Sequence, residues 1–351
     1  MFLGEIMKTV VVGICTQNCE NSIKQLVTRL DKAIVKNFPN DSFSILCADG
    51  FSKDNTRKLF NETSTKTEKK FMTEKGKKGK GSAIRTILQR AKGEQADAVY
   101  LIDGDFLNWK EHHLTRMLNP VLKGTANVAI PHYNQDKHDA LIENHLIYPL
   151  TKVLFNTNLR RPLSGEVAMN LDAYSQLMYN QFFTDDHGIS TCFSIVSLCE
   201  QMGLAEVKVG CKDHGSSEFH AQPEVHLMPV FNQVLRNYIS LLRYYKTSIR
   251  REVKNDYKKL GRKEEAKPKK IAINIDNYLN LSRGTIKSRE DYVKAVYTAI
   301  NKQSIMGLKV AWLNWLSLYF DSVKKMSNEK AEKELDLLVK EFAKHKEMLK
   351  L

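Results

Sequence analysis

The sequence predicts an α/β fold, a doubly wound, mostly parallel, Rossmann-like sheet followed by a helical C-terminal region. Three observations carry this expectation. Short β-branched apolar runs alternate with stretches of helical spacing through residues 8–131. The early runs feed into polar turns, which puts chemistry-bearing residues at the ends of strands. From residue 225 onward, helical periodicity dominates.

Residues 8–15 (KTVVVGIC) read as a buried parallel strand, and residues 18–35 as a helix with Ile23, Leu26, Val27, Leu30 and Ile34 on one face. A second strand over 43–48 ends in the turn Asp49-Gly50-Phe51-Ser52-Lys53-Asp54-Asn55-Thr56. Residues 64–80 are lysine-rich without apolar periodicity, so a surface loop is expected there, with a helix resuming over 81–91. The strand over 98–102 runs straight into Asp103-Gly104-Asp105, and a helix over 111–122 leads to a strand over 126–131. Beyond these come a helix near 139–156, the basic loop Arg160-Arg161-Pro162, a short segment over 164–170, a helix over 189–202 and a strand-like 205–209. That last segment delivers Cys211-Lys212-Asp213-His214-Gly215 to a loop. We expect a catalytic domain over 1–224 and a helical region over 225–351 packed on it, interrupted by the charged stretch 254–270.

The chain has 351 residues, 42% hydrophobic and 27% charged, which is the composition of a folded protein with a sizeable core. Its formal charge of +14 favours anionic partners. No zinc-finger spacing or arginine-rich, aromatic-interleaved motif accompanies that charge, so nucleic acid is not expected as a partner. The six cysteines lack paired spacing, which points to a reducing, cytoplasmic setting, and no apolar run is long enough to span a bilayer.

Asp103-Gly104-Asp105 at a strand end is the most informative feature. Two carboxylates so spaced can reach a hard divalent cation and the ribose and phosphates of a nucleotide, although a solvated turn has the same composition. Gly79-Lys80-Gly81 before a helix offers an ammonium and a permissive backbone to a phosphate, without the Walker pattern. His214 can supply a neutral imidazole to a metal, against the blander reading of an exposed loop histidine. Glu166 can meet sugar hydroxyls or cap a helix, and Arg160 and Arg161 can take an acid group of an acceptor or be structural.

Taken in order, these segments resemble the retaining GT-A glycosyltransferases of the glucosyl-phosphoglycerate synthase and mannosylglycerate synthase group. The opening loop Cys15-Thr16-Gln17-Asn18-Cys19-Glu20-Asn21-Ser22-Ile23 is similar to that group's first nucleotide loop, with Cys15 and Cys19 in place of the usual Pro and Glu. The turn from Asp49, Gly79-Lys80-Gly81 followed by Ala83, Asp103-Gly104-Asp105 and Arg161-Pro162-Leu163-Ser164-Gly165-Glu166 match further motifs. The resemblance implies that Cys15, Thr16, Gln17, Asp49, Lys80, Asp103 and Gly104 contact the nucleotide. It implies that Asp105 and His214 bind Mg or Mn, that Glu166 faces the donor sugar, and that Asp105, Glu166 and Lys80 carry the chemistry. Ser190 stands where many relatives carry an acidic residue, so that carboxylate is either absent or supplied by Asp185 or Asp186. The expected reaction moves a hexose from a nucleoside-diphosphate sugar of UDP or GDP type to a small hydroxylated acid or polar acceptor such as glycerate or phosphoglycerate. A sugar-phosphate nucleotidyltransferase and a non-catalytic basic module for anionic polymer or membrane surface are the alternatives, and a homodimer stays open.

Overall fold

A computed structural model describes residues 7–214, 220–251, 257–261, 267–271, 273–274, 276–281 and 286–351. The charged stretch 254–270 and Gly215 therefore fall partly or wholly outside the described residues. The strands are β1 Thr9–Thr16, β2 Ser42–Asp49, β3 Glu68–Thr73, β4 Ala98–Asp103, β5 Val128–Asn134, β6 Val167–Asn170, β7 Leu204–Cys211 and β8 Tyr257–Leu260. They form one 8-stranded sheet in the order β3-β2-β1-β4-β6-β5-β7-β8. Pairing is parallel except around β6, which runs antiparallel between β4 and β5.

Alternating side chains of the central strands point into two separate cores, which is why these strands read as continuous apolar runs. Val10, Val12 and Ile14 of β1 pack against α1 (Ile23–Asn37) and α4 (Glu111–Leu122), whereas Val11 joins the opposite core with Ile84, Ile87 and Leu88 of α3 (Lys80–Gly93). The predicted face of α1 is the buried one: Ile23, Leu26, Val27, Leu30 and Ile34 are all in the core.

Two strands lie in charged stretches where the sequence predicted none. Residues 64–80 contain β3, paired in register with β2 from Ser44 opposite Glu68 to Asp49 opposite Thr73. The charged stretch contains β8, paired with β7. Both are edge strands, so only part of each is covered and little apolar patterning is required of them.

The apolar core on the α3 side continues across residue 224 into the C-terminal helices. Trp312, in the helix Ile305–Val323, is fully buried; its ring centroid lies 4.9 Å from Phe231, and its indole N–H donates to the Leu141 carbonyl at 3.2 Å. Among the described residues, no helix is long and apolar enough to cross a membrane. Because Trp312 joins residues from both sides of position 224, Trp312→Ala should cost about 3–5 kcal/mol and lower the melting temperature in one cooperative calorimetric transition. Two resolved transitions would instead mark the C-terminal helices as an independent unit.

Candidate active site

The sheet order gathers the polar turns along one edge. β1, β2, β3, β4, β5 and β7 all present their carboxyl ends there. β6, being antiparallel, presents its amino end: Leu101 pairs with Val167, so Glu166 arrives beside the end of β4. A cavity of about 420 Å³ runs along this edge.

At one end the first two loops are laced together. Thr16 Oγ1 donates to Asp49 Oδ1 at 2.9 Å, and Asp49 also accepts from the Ser52 amide at 2.8 Å and the Ser52 hydroxyl at 2.5 Å. The amides of Asn18 and Cys19 donate to Ser52 Oγ at 2.8 Å and Thr56 Oγ1 at 2.7 Å. Cys15, Thr16 and Gln17 line the cavity. Asp49 is corrected: it is buried and holds the loops, and Gly50 and Glu74 line the cavity there instead. Burial pushes the Cys15 and Cys19 thiols up to about 12, so neither is a thiolate at neutral pH.

At the centre, four charges alternate. Asp103 pairs with Lys80 through one oxygen and with Lys212 through the other, the latter at 2.7 Å. Lys212 Nζ also lies 2.7 Å from Glu166 Oε1, and the Tyr133 hydroxyl donates to Glu166 Oε2 at 2.5 Å. Burial opposes the charge on Asp103, but Lys212 and Lys80 outweigh it and hold the carboxyl well below the usual range. Glu166, only 1% exposed, is pushed up by burial against the pull of Lys212. Gly104 lies between the two aspartates, its amide donating to Cys15 O at 2.8 Å and its carbonyl accepting from Ser22 Oγ at 2.6 Å.

Asp105 and His214 line the same cavity, from the turns after β4 and β7. His214 Nε2 is 3.5 Å from Asp139 Oδ2; burial lowers its basicity, but Asp139 outweighs that and raises it. A carboxylate and an imidazole facing one space, with the charge of Asp105 acting on the ring, form a donor set that fits a divalent cation whose other ligands are diphosphate oxygens.

The two arginines are placed differently from expectation. Arg160 is corrected: its guanidinium makes a two-pronged pair with Glu332 at 2.7 and 2.9 Å and stacks over Tyr148, away from the cavity. Arg161 lines the cavity, yet its guanidinium donates to Glu143, Asn144 and the Tyr133 carbonyl at 3.1–3.2 Å. Both act as structural ties of the loop ahead of Glu166. Two π-helical turns grip that loop: Glu143, in Glu143–Ile147, accepts from the Leu163 amide at 2.8 Å, and Ser194, in Cys192–Val196, donates to the Pro162 carbonyl at 2.5 Å.

Sequence reasoning missed Lys212, Tyr133, Glu74 and His187, all of which line the cavity. His187, held down to about 4 by burial and Lys80, is neutral at physiological pH. Ser190 lines the cavity, whereas Asp185 pairs with Arg85 and Asp186 accepts from the Gly188 amide.

Two glycines separate stability from activity. A Cβ at Gly81 would meet the Thr184 carbonyl at 1.9 Å, a backbone atom, whereas at Gly165 it would meet the Lys80 ammonium at 2.2 Å, the tip of a flexible side chain. Gly81→Ala should therefore destabilise the fold by at least about 1–3 kcal/mol in chemical denaturation. Gly165→Ala should melt near the wild-type temperature while losing about tenfold or more in turnover, because it displaces Lys80 from Asp103. Equal effects of the two substitutions on stability would contradict this assignment.

Comparison with known proteins accords with this geometry. The crystal structure of glucosyl-3-phosphoglycerate synthase from Mycobacterium tuberculosis in complex with Mn2+, uridine diphosphate and phosphoglyceric acid superposes with a TM-score of 0.55 at 20% identity, covering 67% of this chain and 78% of that one. The same enzyme with Mn2+, uridine-diphosphate-glucose and glycerol 3-phosphate gives a TM-score of 0.53 at 19% identity, covering 67% and 80%. Its complex with Mg2+ and uridine diphosphate gives 0.51 at 19%, covering 66% and 79%. At these identities the likeness shows the shared fold. No curated protein matches the chain significantly. Residues 11–188, just over half of the chain and the segment that builds most of the cavity edge, match the family described as Glycosyl transferase family 2, and the chain belongs to that family.

Proposed function

We propose that this glycosyltransferase moves a hexose, with retained anomeric configuration, from a nucleoside-diphosphate sugar to a small hydroxylated acceptor, assisted by Mn2+ or Mg2+. The observation that carries the reading is the alternating chain Lys80, Asp103, Lys212 and Glu166, which lies beside Asp105 and His214 in one cavity. Mn2+ with uridine diphosphate or its glucose derivative, and phosphoglyceric acid or glycerol 3-phosphate, in the neighbouring structures support the substrate classes.

Asp105 and His214 would hold the cation, which supplies positive charge beside the departing diphosphate. The Lys80 ammonium stands at the start of α3 and places a second positive charge at the same point. Asp103 orients both lysines and is available to the ribose. Glu166, buried and held by Tyr133 and Lys212, faces the sugar as a hydrogen-bond acceptor. Its charge is shared with Lys212, and the nearby thiols are protonated, so a covalent enzyme nucleophile is disfavoured. The acceptor hydroxyl then attacks from the face the diphosphate leaves, and the leaving phosphate takes its proton.

The far wall is formed by Leu227 and Val230 of the helix Pro223–Tyr244 together with Leu141 and Leu163, and it confines the acceptor to a small volume. Arg160 turns away from the cavity toward Glu332, whereas Arg161 lines it while donating to Glu143, so of the two arginines Arg161 is the one placed to meet an acid group on the acceptor.

A panel of sugar nucleotides should contain one that stabilises the chain only when Mn2+ or Mg2+ is present, by about 2.7 kcal/mol at a hundredfold excess over Kd. Turnover should release nucleoside diphosphate; release of pyrophosphate from a triphosphate would identify a nucleotidyltransferase. Asp105→Ala should keep its melting temperature and lose about a hundredfold or more in kcat. Near wild-type turnover in that variant with metal present would overturn the reading.

A further inference from the structure

The cavity also carries a carboxylate that the chemistry above does not use. Glu74 follows β3 and is 5% exposed. Its Oε1 accepts from the Gly79 amide at 3.1 Å, and no partner is recorded for Oε2 among the described residues. Oε2 faces the recess that Gly50 leaves open: a Cβ there would lie 3.4 Å from the Thr16 carbonyl, 3.5 Å from Glu74 Oε2 and 3.6 Å from Gln17 Cβ. The Lys78 ammonium, whose charge acts on Glu74, stands on the same rim.

Glu74, Gly50 and Lys78 line the same cavity as Lys80, from the side of β2 and β3, so with the diphosphate at Lys80 the donor's base would lie against them. A carboxylate accepts hydrogen bonds and cannot donate them. Guanine offers two adjacent donors, N1–H and the 2-amino group, with O6 beside them for an ammonium. Uracil offers one N–H between two carbonyl oxygens, which a carboxylate repels. Adenine and cytosine each place one amino group beside a bare ring nitrogen.

We propose that Glu74 reads the Watson–Crick edge of guanine, with Lys78 at O6, so that the donor is a guanosine-diphosphate sugar. This rests on the nucleoside-diphosphate-sugar reading above and makes Glu74 a residue that sets base specificity. Burial pushes the Glu74 carboxyl up, against the Gly79 amide and the Lys78 charge, which favour its ionised form.

The test is calorimetric titration of the full chain, with Mn2+ present, by GDP, IDP and UDP. IDP lacks only the 2-amino group. GDP should bind about tenfold to a hundredfold more tightly than IDP, and at least as far ahead of UDP, the size of one charge-assisted hydrogen bond. Glu74→Gln keeps an oxygen for the Gly79 amide, so it should fold normally, lose about tenfold in GDP affinity and leave UDP affinity within about twofold. UDP binding as tightly as GDP, or a Gln variant that weakens both nucleotides alike or neither, overturns the role of Glu74. Failure of all three nucleotides to bind overturns the donor reading itself, and this inference with it.

Discussion

The arrangement depends on one constraint: four charges brought to the carboxyl edge of the sheet must neutralise one another while they are largely shielded from water. Removing an ion from water costs several kcal/mol even after relaxation, so each must have an opposite partner in good geometry. Lys80 comes from the start of α3, Asp103 from the end of β4, Glu166 from the loop before β6 and Lys212 from the turn after β7. No two lie on the same element. Their pairing therefore requires the register of β4 with β6 and of β5 with β7, and it explains why the loop before Glu166 is tied down so heavily.

Much of this was legible in the sequence, for physical reasons that also say where legibility ends. The central strands are covered on both faces, and their side chains form near-continuous apolar runs, as in Val10, Val11, Val12 and Ile14 of Thr9–Thr16. The edge strands are covered on fewer sides, so Glu68–Thr73 passed for a loop and Tyr257–Leu260 for part of a charged interruption between helices. In the site, Asp103, Asp105 and Lys80 stood out because they directly follow a strand or open a helix. Lys212 occupies the same strand-end loop as His214, but one lysine in so basic a chain carries little information. Glu74 was hidden inside the lysine-rich stretch, and Tyr133 lies past residue 131, where the strand was expected to end, whereas β5 runs on to Asn134.

The arginines show what sequence cannot convey. Arg160 and Arg161 are neighbours with identical chemistry, and both backbone amides donate to the same oxygen of Glu206, at 2.8 and 2.7 Å. Their side chains then diverge, one to Glu332 in the C-terminal helix Asn328–Lys344 and one to Glu143 in a π-helical turn. A contact across 172 positions of sequence, or the extra residue of a π turn, leaves no mark in local periodicity. Basic residues beside a motif thus served the shape of the loop, and the carboxylate at its end inherited a fixed position.

The two strands that bound the sheet have a consequence beyond the site. A bare strand edge is a template on which another chain can add its own strand, the first step toward fibrous aggregates. β3 carries Lys69 and Lys70, and β8 carries Lys258 and Lys259, so either border presents ammonium groups to an approaching copy. Like charges would meet where such a pairing sets these lysines side by side. Part of the chain's positive surplus thus opposes self-templating at the borders of the sheet.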